Sequence, residues 1–186
     1  MLNNDDYKSR LLEKIKKEAL EIGHKRTLSS GKKSNYYIDG KIITLDPEGA
    51  FLTAKLIFDM LNKIDFDAVG GPTLGADPIV AALALFSFLN KRPIQTFIVR
   101  KEPKKHGTMK SIEGKLAKGS KVIIVDDVVT TGKSILQAID AVKQEECEIV
   151  KIIALVDRQE GAREKFDSLG YEFAPIFTRE DLKVNG

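Results

Sequence analysis

The chain has 186 residues, 42% hydrophobic and 31% charged, with a formal net charge of +3 at pH 7. That length buries a substantial core within one domain, residues 1–186, and the composition excludes a disordered chain. So small a charge gives no argument for nucleic acid as a partner, and the longest apolar run, 79–89, is far too short to span a membrane.

From the N-terminus, 1–6 is acidic and polar, so no signal peptide is expected. Asp5–Ile22 places Leu11, Leu12, Ile15, Ala19 and Ile22 at helical spacing, and Gly23 is a plausible stop. Thr27–Ser34 is a polar, turn-rich loop. Asn35–Asp39 reads as a strand whose tyrosines either pack or stack on a planar base. Thr44–Pro47 opens a helix with Pro47 near its first turn, and Ala50–Leu61 supplies the apolar face. Asp67–Gly71 is a short strand that leads through Pro72–Pro78 into an apolar helix, Ile79–Leu89. The glycines and prolines of that junction suit either an ordinary turn or close approach of backbone N–H groups to an anion.

Gln95–Val99 is the next strand. Behind it, Arg100 to Lys110 carries five Lys/Arg, one Glu and one His. Packed like charges resist burial, so this is either a solvated loop or a lid that a highly charged anion such as pyrophosphate would order. The two histidines, His24 and His106, lie far apart, and no metal-ligand cluster is visible. The one cysteine, Cys147, allows no internal disulfide, so a cytoplasmic location is expected.

The chain is organised around Lys121–Ser134, KVIIVDDVVTTGKS. Val122–Val125 is continuously apolar, as a strand buried on both faces requires, and it ends in two adjacent acids, Asp126 and Asp127. Val128, Val129, Thr130, Thr131, Gly132, Lys133 and Ser134 follow, and Ile135–Gln144 is helical. In parallel sheets ligands sit at the carboxyl ends of strands, and a helix N-terminus attracts anions. A ligand with a vicinal diol and a phosphate would satisfy the whole stretch. Gly132-Lys133-Ser134 also matches the end of a Walker A loop. That motif needs a glycine where Asp127 stands, and a carboxylate in a phosphate cradle is repulsive. Simple helix capping accounts for one polar residue but not for two acids behind four aliphatics.

Val150–Val156 is a further strand ending at Asp157–Gly161, which puts Arg158 at the same sheet edge as the acids. It forms either a bidentate pair with a planar carboxylate or a surface salt bridge. Tyr171–Phe177 is a last strand and Arg179–Val184 a short helix. The alternation predicts an α/β fold: a central parallel β-sheet flanked by helices, with a small N-terminal hood over about 1–45 and a core over about 46–186.

The central stretch resembles the phosphoribosyl-pyrophosphate (PRPP) motif of type I phosphoribosyltransferases. Leu28–Tyr37, Gly71–Val80, Arg100–Gly107 and Val156–Gly161 further resemble the orotate branch of that family, in matching order. The resemblance implies transfer of the phosphoribosyl group of PRPP to orotate, giving orotidine 5′-monophosphate and pyrophosphate in de novo pyrimidine biosynthesis, with Mg²⁺ as cofactor. It implies that Asp126 and Asp127 bind the ribose hydroxyls and that Thr130 to Ser134 wrap the 5′-phosphate, with Val128 and Val129 beside them. Tyr37 would cover the orotate ring with Ile38 beside it, and Arg158 would pair with orotate. Arg100, Lys101, Lys104, Lys105 and His106 would form a lid given to the partner's site in a homodimer; Lys104, His106 and Asp127 carry the catalytic roles. Two positions depart from the family pattern, since Ser29 and Gly75 stand where many members have lysine. The other readings are a purine or uracil phosphoribosyltransferase and a non-catalytic PRPP sensor. An intact cationic lid favours an enzyme.

Overall fold

A computed structural model describes residues 4–27, 33–101 and 111–184. Its centre is a six-stranded sheet in the order β5-β4-β3-β6-β7-β8. The strands are β3 (Ala68–Pro72), β4 (Gln95–Val99), β5 (Ile112–Gly114), β6 (Lys121–Val129), β7 (Glu148–Asp157) and β8 (Phe173–Thr178). Every pairing in it is parallel except β4 with β5.

Parallel strands need both faces covered, which is why β6 runs apolar without alternation. Ile123 and Val125 pack on one face, with Leu52, Ile57, Ile79 and Leu83 from α3 (Pro47–Met60) and α4 (Ala76–Leu89). Val122 and Ile124 pack on the other, with Ile135, Ala138, Val142 and Phe166 from α5 (Lys133–Gln144) and α6 (Ala162–Ser168). As the sequence suggests, Pro47 sits in the first turn of α3, whose cap Asp46 accepts the Gly49 N–H at 2.8 Å.

The N-terminal part differs from its sequence reading. Helix α1 (Asn4–Lys14) continues into one π-helical turn, Ile15–Ala19, and stops there. Residues 20–22 are not helical, because Leu20–Thr27 (β1) pairs antiparallel with Lys33–Ile38 (β2). Leu11, Ile15 and Ala19 keep the buried stripe, whereas Ile22 is 66% exposed. Four short elements give no periodic signal: β1, α2 (Gly40–Thr44), β5 and α6. A final turn, α7 (Arg179–Leu182), opens on a capping box from Thr178 and Asp181.

Strand β6 is also longer than its apolar run, so Asp126 and Asp127 lie within it. On the β7 side pairing continues to Val129↔Asp157, but on the β3 side it ends at Gly70↔Ile124. The chain leaves β3 in one direction across the sheet and β6 in the other, so a crevice opens between their carboxyl ends. The two acids line its open edge.

Candidate active site

The acid pair is buried, with Asp126 5% and Asp127 7% exposed. Asp126 accepts hydrogen bonds from the Asp127 N–H at 3.0 Å and from Ser134 Oγ at 3.1 Å. Asp127 accepts from the Val128 N–H at 2.8 Å, and Lys41 Nζ stands 3.8 Å from its Oδ2. Burial pushes the Asp126 carboxyl well above the usual range, and the charge of Asp127 pushes it further. Burial raises Asp127 too, against the opposing pull of the Val128 N–H and Lys41. Like charges held out of water look for a positive or hydrogen-bonding ligand.

The walls of the crevice fit these carboxylates closely. A Cβ on Gly75, at the head of α4, would overlap an oxygen of each acid. A Cβ on Gly40, the first residue of α2, would lie 2.8 Å from the Asp127 Cβ. Both glycines are thus explained by close approach of side chains; for Gly75 the sequence allows either an ordinary turn or room for an anion.

Beyond the acids, Thr130 and Thr131 are half-buried, and Gly132 turns the chain at φ 75°. That left-handed value favours glycine, and a Cβ there would lie 2.6 Å from Phe166 Cζ. No side chain caps α5, and Lys133 and Ser134 are exposed in its first turn. Its leading N–H groups therefore face the crevice end of the sheet as an anion site. Val128 is half-buried against the core, while Val129 is buried in it, and the Val129 carbonyl accepts the Arg158 N–H at 2.9 Å.

Arg158 is not on the surface, where a simple salt bridge would have left it. It is 2% exposed, its Nε lies 3.0 Å from Glu160 Oε1, and its guanidinium stacks 4.4 Å from the Tyr36 ring centroid. Tyr36 and Ile38 point into the core; Tyr37, on the opposite side of β2, is half-buried. The sequence pattern missed three of these parts. Tyr36 is the ring beneath Arg158, Glu160 is its ion-pair partner, and Lys41 reaches Asp127 from a helix 86 residues earlier.

Arg100 follows β4, donating its N–H to the Ser111 carbonyl at 2.8 Å and pairing with Glu113 at 3.2 Å. With Lys101, Thr73, Asp77 and Ile98 these two line a cavity of about 490 Å³. Lys104, Lys105 and His106 lie outside the described residues, as does Ser29. A larger hollow, about 710 Å³, lies at the opposite end of the sheet around Asp67, Gln95 and 114–120, away from the acids.

Among the described residues no group of three or more His, Cys, Asp or Glu forms a metal cage. Mg²⁺ does not need one, since it binds through one or two carboxylates plus substrate phosphates. Two buried carboxylates without a full cage fit that mode.

An open switch point over paired acids, beside an uncapped helix, has the chemistry of a site for a phosphorylated sugar. Residues 41–170 match the family described as Phosphoribosyl transferase domain. The orotate phosphoribosyltransferase of Aquifex aeolicus is 43% identical over 177 residues, 94% of this chain and 97% of its own. That of Streptomyces avermitilis is 43% identical over 184 residues, 97% of this chain and 100% of its own. Among solved structures, the orotate phosphoribosyltransferase of Mycobacterium tuberculosis H37Rv in complex with PRPP matches with a TM-score of 0.79. It is 32% identical, over 96% of this chain and 99% of that one. The chain belongs to the phosphoribosyltransferase family, in its orotate phosphoribosyltransferase branch. Among the described residues, no helix is long and apolar enough to cross a membrane.

Proposed function

We propose that this protein transfers the phosphoribosyl group of PRPP to orotate, releasing orotidine 5′-monophosphate and pyrophosphate. The observation that carries the reading is the pair Asp126–Asp127 at the crevice between β3 and β6, next to the uncapped start of α5. The carboxylates accept the ribose hydroxyls, and the backbone and hydroxyls of Thr130 to Ser134 hold the 5′-phosphate. Breaking the anomeric C–O bond builds positive charge on the ribose and negative charge on the departing pyrophosphate. Positioning and electrostatic stabilisation therefore matter more than a strong base. Orotate is an anion at neutral pH and brings its own nucleophilic nitrogen. Arg158 receives its carboxylate or a ring oxygen, held flat by Tyr36 beneath it and Glu160 beside it. Arg100, Lys101, Lys104, Lys105 and His106 neutralise the leaving group and exclude water from the activated sugar. Asp126 and Asp127 would be the residues that hold a Mg²⁺ ion beside the substrate, and the ion would supply charge stabilisation for the leaving group.

A buried guanidinium favours an anionic base over neutral adenine, hypoxanthine or uracil. The test is loss of orotate absorbance in the presence of PRPP and Mg²⁺, run beside those three bases. Turnover of a neutral base in place of orotate overturns the orotate assignment. Binding of PRPP without turnover of any base would make the protein a sensor.

The protein works as a homodimer in which the cationic segment of one copy serves the site of the other. Lys104→Ala lowers kcat by about 10²–10³-fold, the usual cost of removing one charge-stabilising group. Mixed with Asp127→Asn under subunit exchange, it regains about a quarter of wild-type specific activity, because half the dimers are mixed and each has one intact site. Silence in a mixture that mass spectrometry shows to contain heterodimers refutes the shared site.

A further inference from the structure

Lys41 enters none of the steps above, yet its ammonium is tied to the acid pair. It is the second residue of α2, whose N-cap Asp39 accepts the Lys41 N–H at 3.1 Å. The same Asp39 carboxylate pairs with Lys41 Nζ at 2.6 Å, and from there Nζ lies 3.8 Å from Asp127 Oδ2. Gly40 brings the start of this short helix so close to Asp127 that a methyl group would not fit between them. The side chain is 40% exposed, so its ammonium keeps one side toward solvent while the other meets the acids. Burial works against that charge, but the Asp39 hydrogen bond and the charges of Asp127 and Asp39 outweigh it and hold the lysine pKa above its ordinary value.

The arrangement is asymmetric. Asp126 is served by the Ser134 hydroxyl and the Asp127 N–H, both neutral donors, whereas Asp127 also has a cation beside it. Two adjacent buried carboxylates repel each other, and a cation beside one of them fixes where that carboxylate sits. Asp39, which holds the cation, follows β2 directly, and β2 carries Tyr36 and Tyr37.

We propose that Lys41 is a positioning residue for the sugar-phosphate half of the reaction: braced by Asp39, it holds the Asp127 carboxylate oriented toward a ribose hydroxyl. The proposal rests on the phosphoribosyl-transfer reading above. Asp39 is the brace, and Lys41 acts through Asp127 and touches neither the base nor the reacting atoms.

The experiment uses Lys41→Met and Lys41→Arg in the full chain, with two readouts. In steady-state kinetics, Lys41→Met raises the PRPP KM about 10-fold, the effect of removing an opposite charge at this range, and leaves the orotate KM within about twofold. Lys41→Arg restores most of the loss, because it keeps a cation at the same reach. Equal changes in both KM values, or none, overturn the positioning role. The second readout needs no turnover: thermal unfolding of the ligand-free Lys41→Met, Asp127→Asn and double variants. The Tm decrement from Lys41→Met is smaller in the Asp127→Asn background, with the Asp39 pair accounting for what remains; strictly additive decrements overturn the route through Asp127. A wild-type protein inactive with orotate and PRPP refutes the functional reading, while the unfolding cycle still reads the contact.

Discussion

Replacing Asp126 by asparagine should make the ligand-free protein more stable and a worse enzyme. The carboxyl is 5% exposed, and burial, together with the charge of Asp127, raises its pKa well above the ordinary value. A carboxyl with a raised folded-state pKa binds its proton more tightly in the folded chain than in the unfolded one. Below the unfolded pKa of about 4 it is protonated in both states, and aspartic acid and asparagine are nearly equivalent. As pH rises through the folded pKa, the folded chain alone must hold a buried charge, and wild-type stability is withdrawn. The asparagine variant is spared this. Its carbonyl still accepts the Asp127 N–H, and its amide can donate to Ser134 Oγ, which turns to accept. The relief is about 1–3 kcal/mol, the usual desolvation cost of one poorly compensated buried group. At roughly 2–4 °C per kcal/mol for a chain of this size, Tm rises by several degrees near neutral pH. Binding moves the other way, because an amide lacks the charge-assisted acceptor worth about 1.5–3 kcal/mol to a ribose hydroxyl. At 1.36 kcal/mol per tenfold, kcat/KM for PRPP falls about 10- to 150-fold. Melting curves from about pH 4 to pH 8 and initial rates at subsaturating PRPP measure both effects. A variant less stable than wild type at neutral pH, or one with unchanged kcat/KM for PRPP, refutes the reasoning.

Arg158→Lys should raise the orotate KM more than the PRPP KM, because lysine supplies neither the planar fork nor the flat face that stacks on Tyr36; equal effects on the two substrates would return Arg158 to a structural role. Gly132→Ala should lower Tm, since left-handed backbone costs an L-residue about 1–2 kcal/mol and its Cβ would crowd Phe166 at 2.6 Å. The same shift of the first turn of α5 should weaken PRPP binding, measured by calorimetry, and an unchanged Tm would show that the turn relaxes freely.

Much of the core was legible because parallel strands and amphipathic helices impose periods on the sequence. Val122–Val125 had to be buried on both faces, and the apolar faces of two helices, with Leu52 and Ile57 on one and Ile79 and Leu83 on the other, had to cover the sheet. The acid pair and the turn through Gly132 were equally plain, since their chemistry is local to one stretch. The N-terminal segment shows where a local period misleads. Leu11, Ile15 and Ala19 are one helical stripe, and Ile22 extends its spacing, yet 20–22 gains more from backbone pairing with 36–38 than from another helical turn. Neither partner strand declares that pairing by itself. Strand order is likewise absent from periodicity, so the switch point between β3 and β6 emerges only when the sheet assembles. By sequence alone Arg158 stands between a carboxylate fork and a surface salt bridge; in the structure Tyr36 and Glu160 enclose it. The identities of the crevice residues belong to the sequence itself. Which of them meet was decided by tertiary structure, because the contacts of Lys41 with Asp127 and of Arg158 with Tyr36 join segments far apart in the chain, and packing alone brings them within reach.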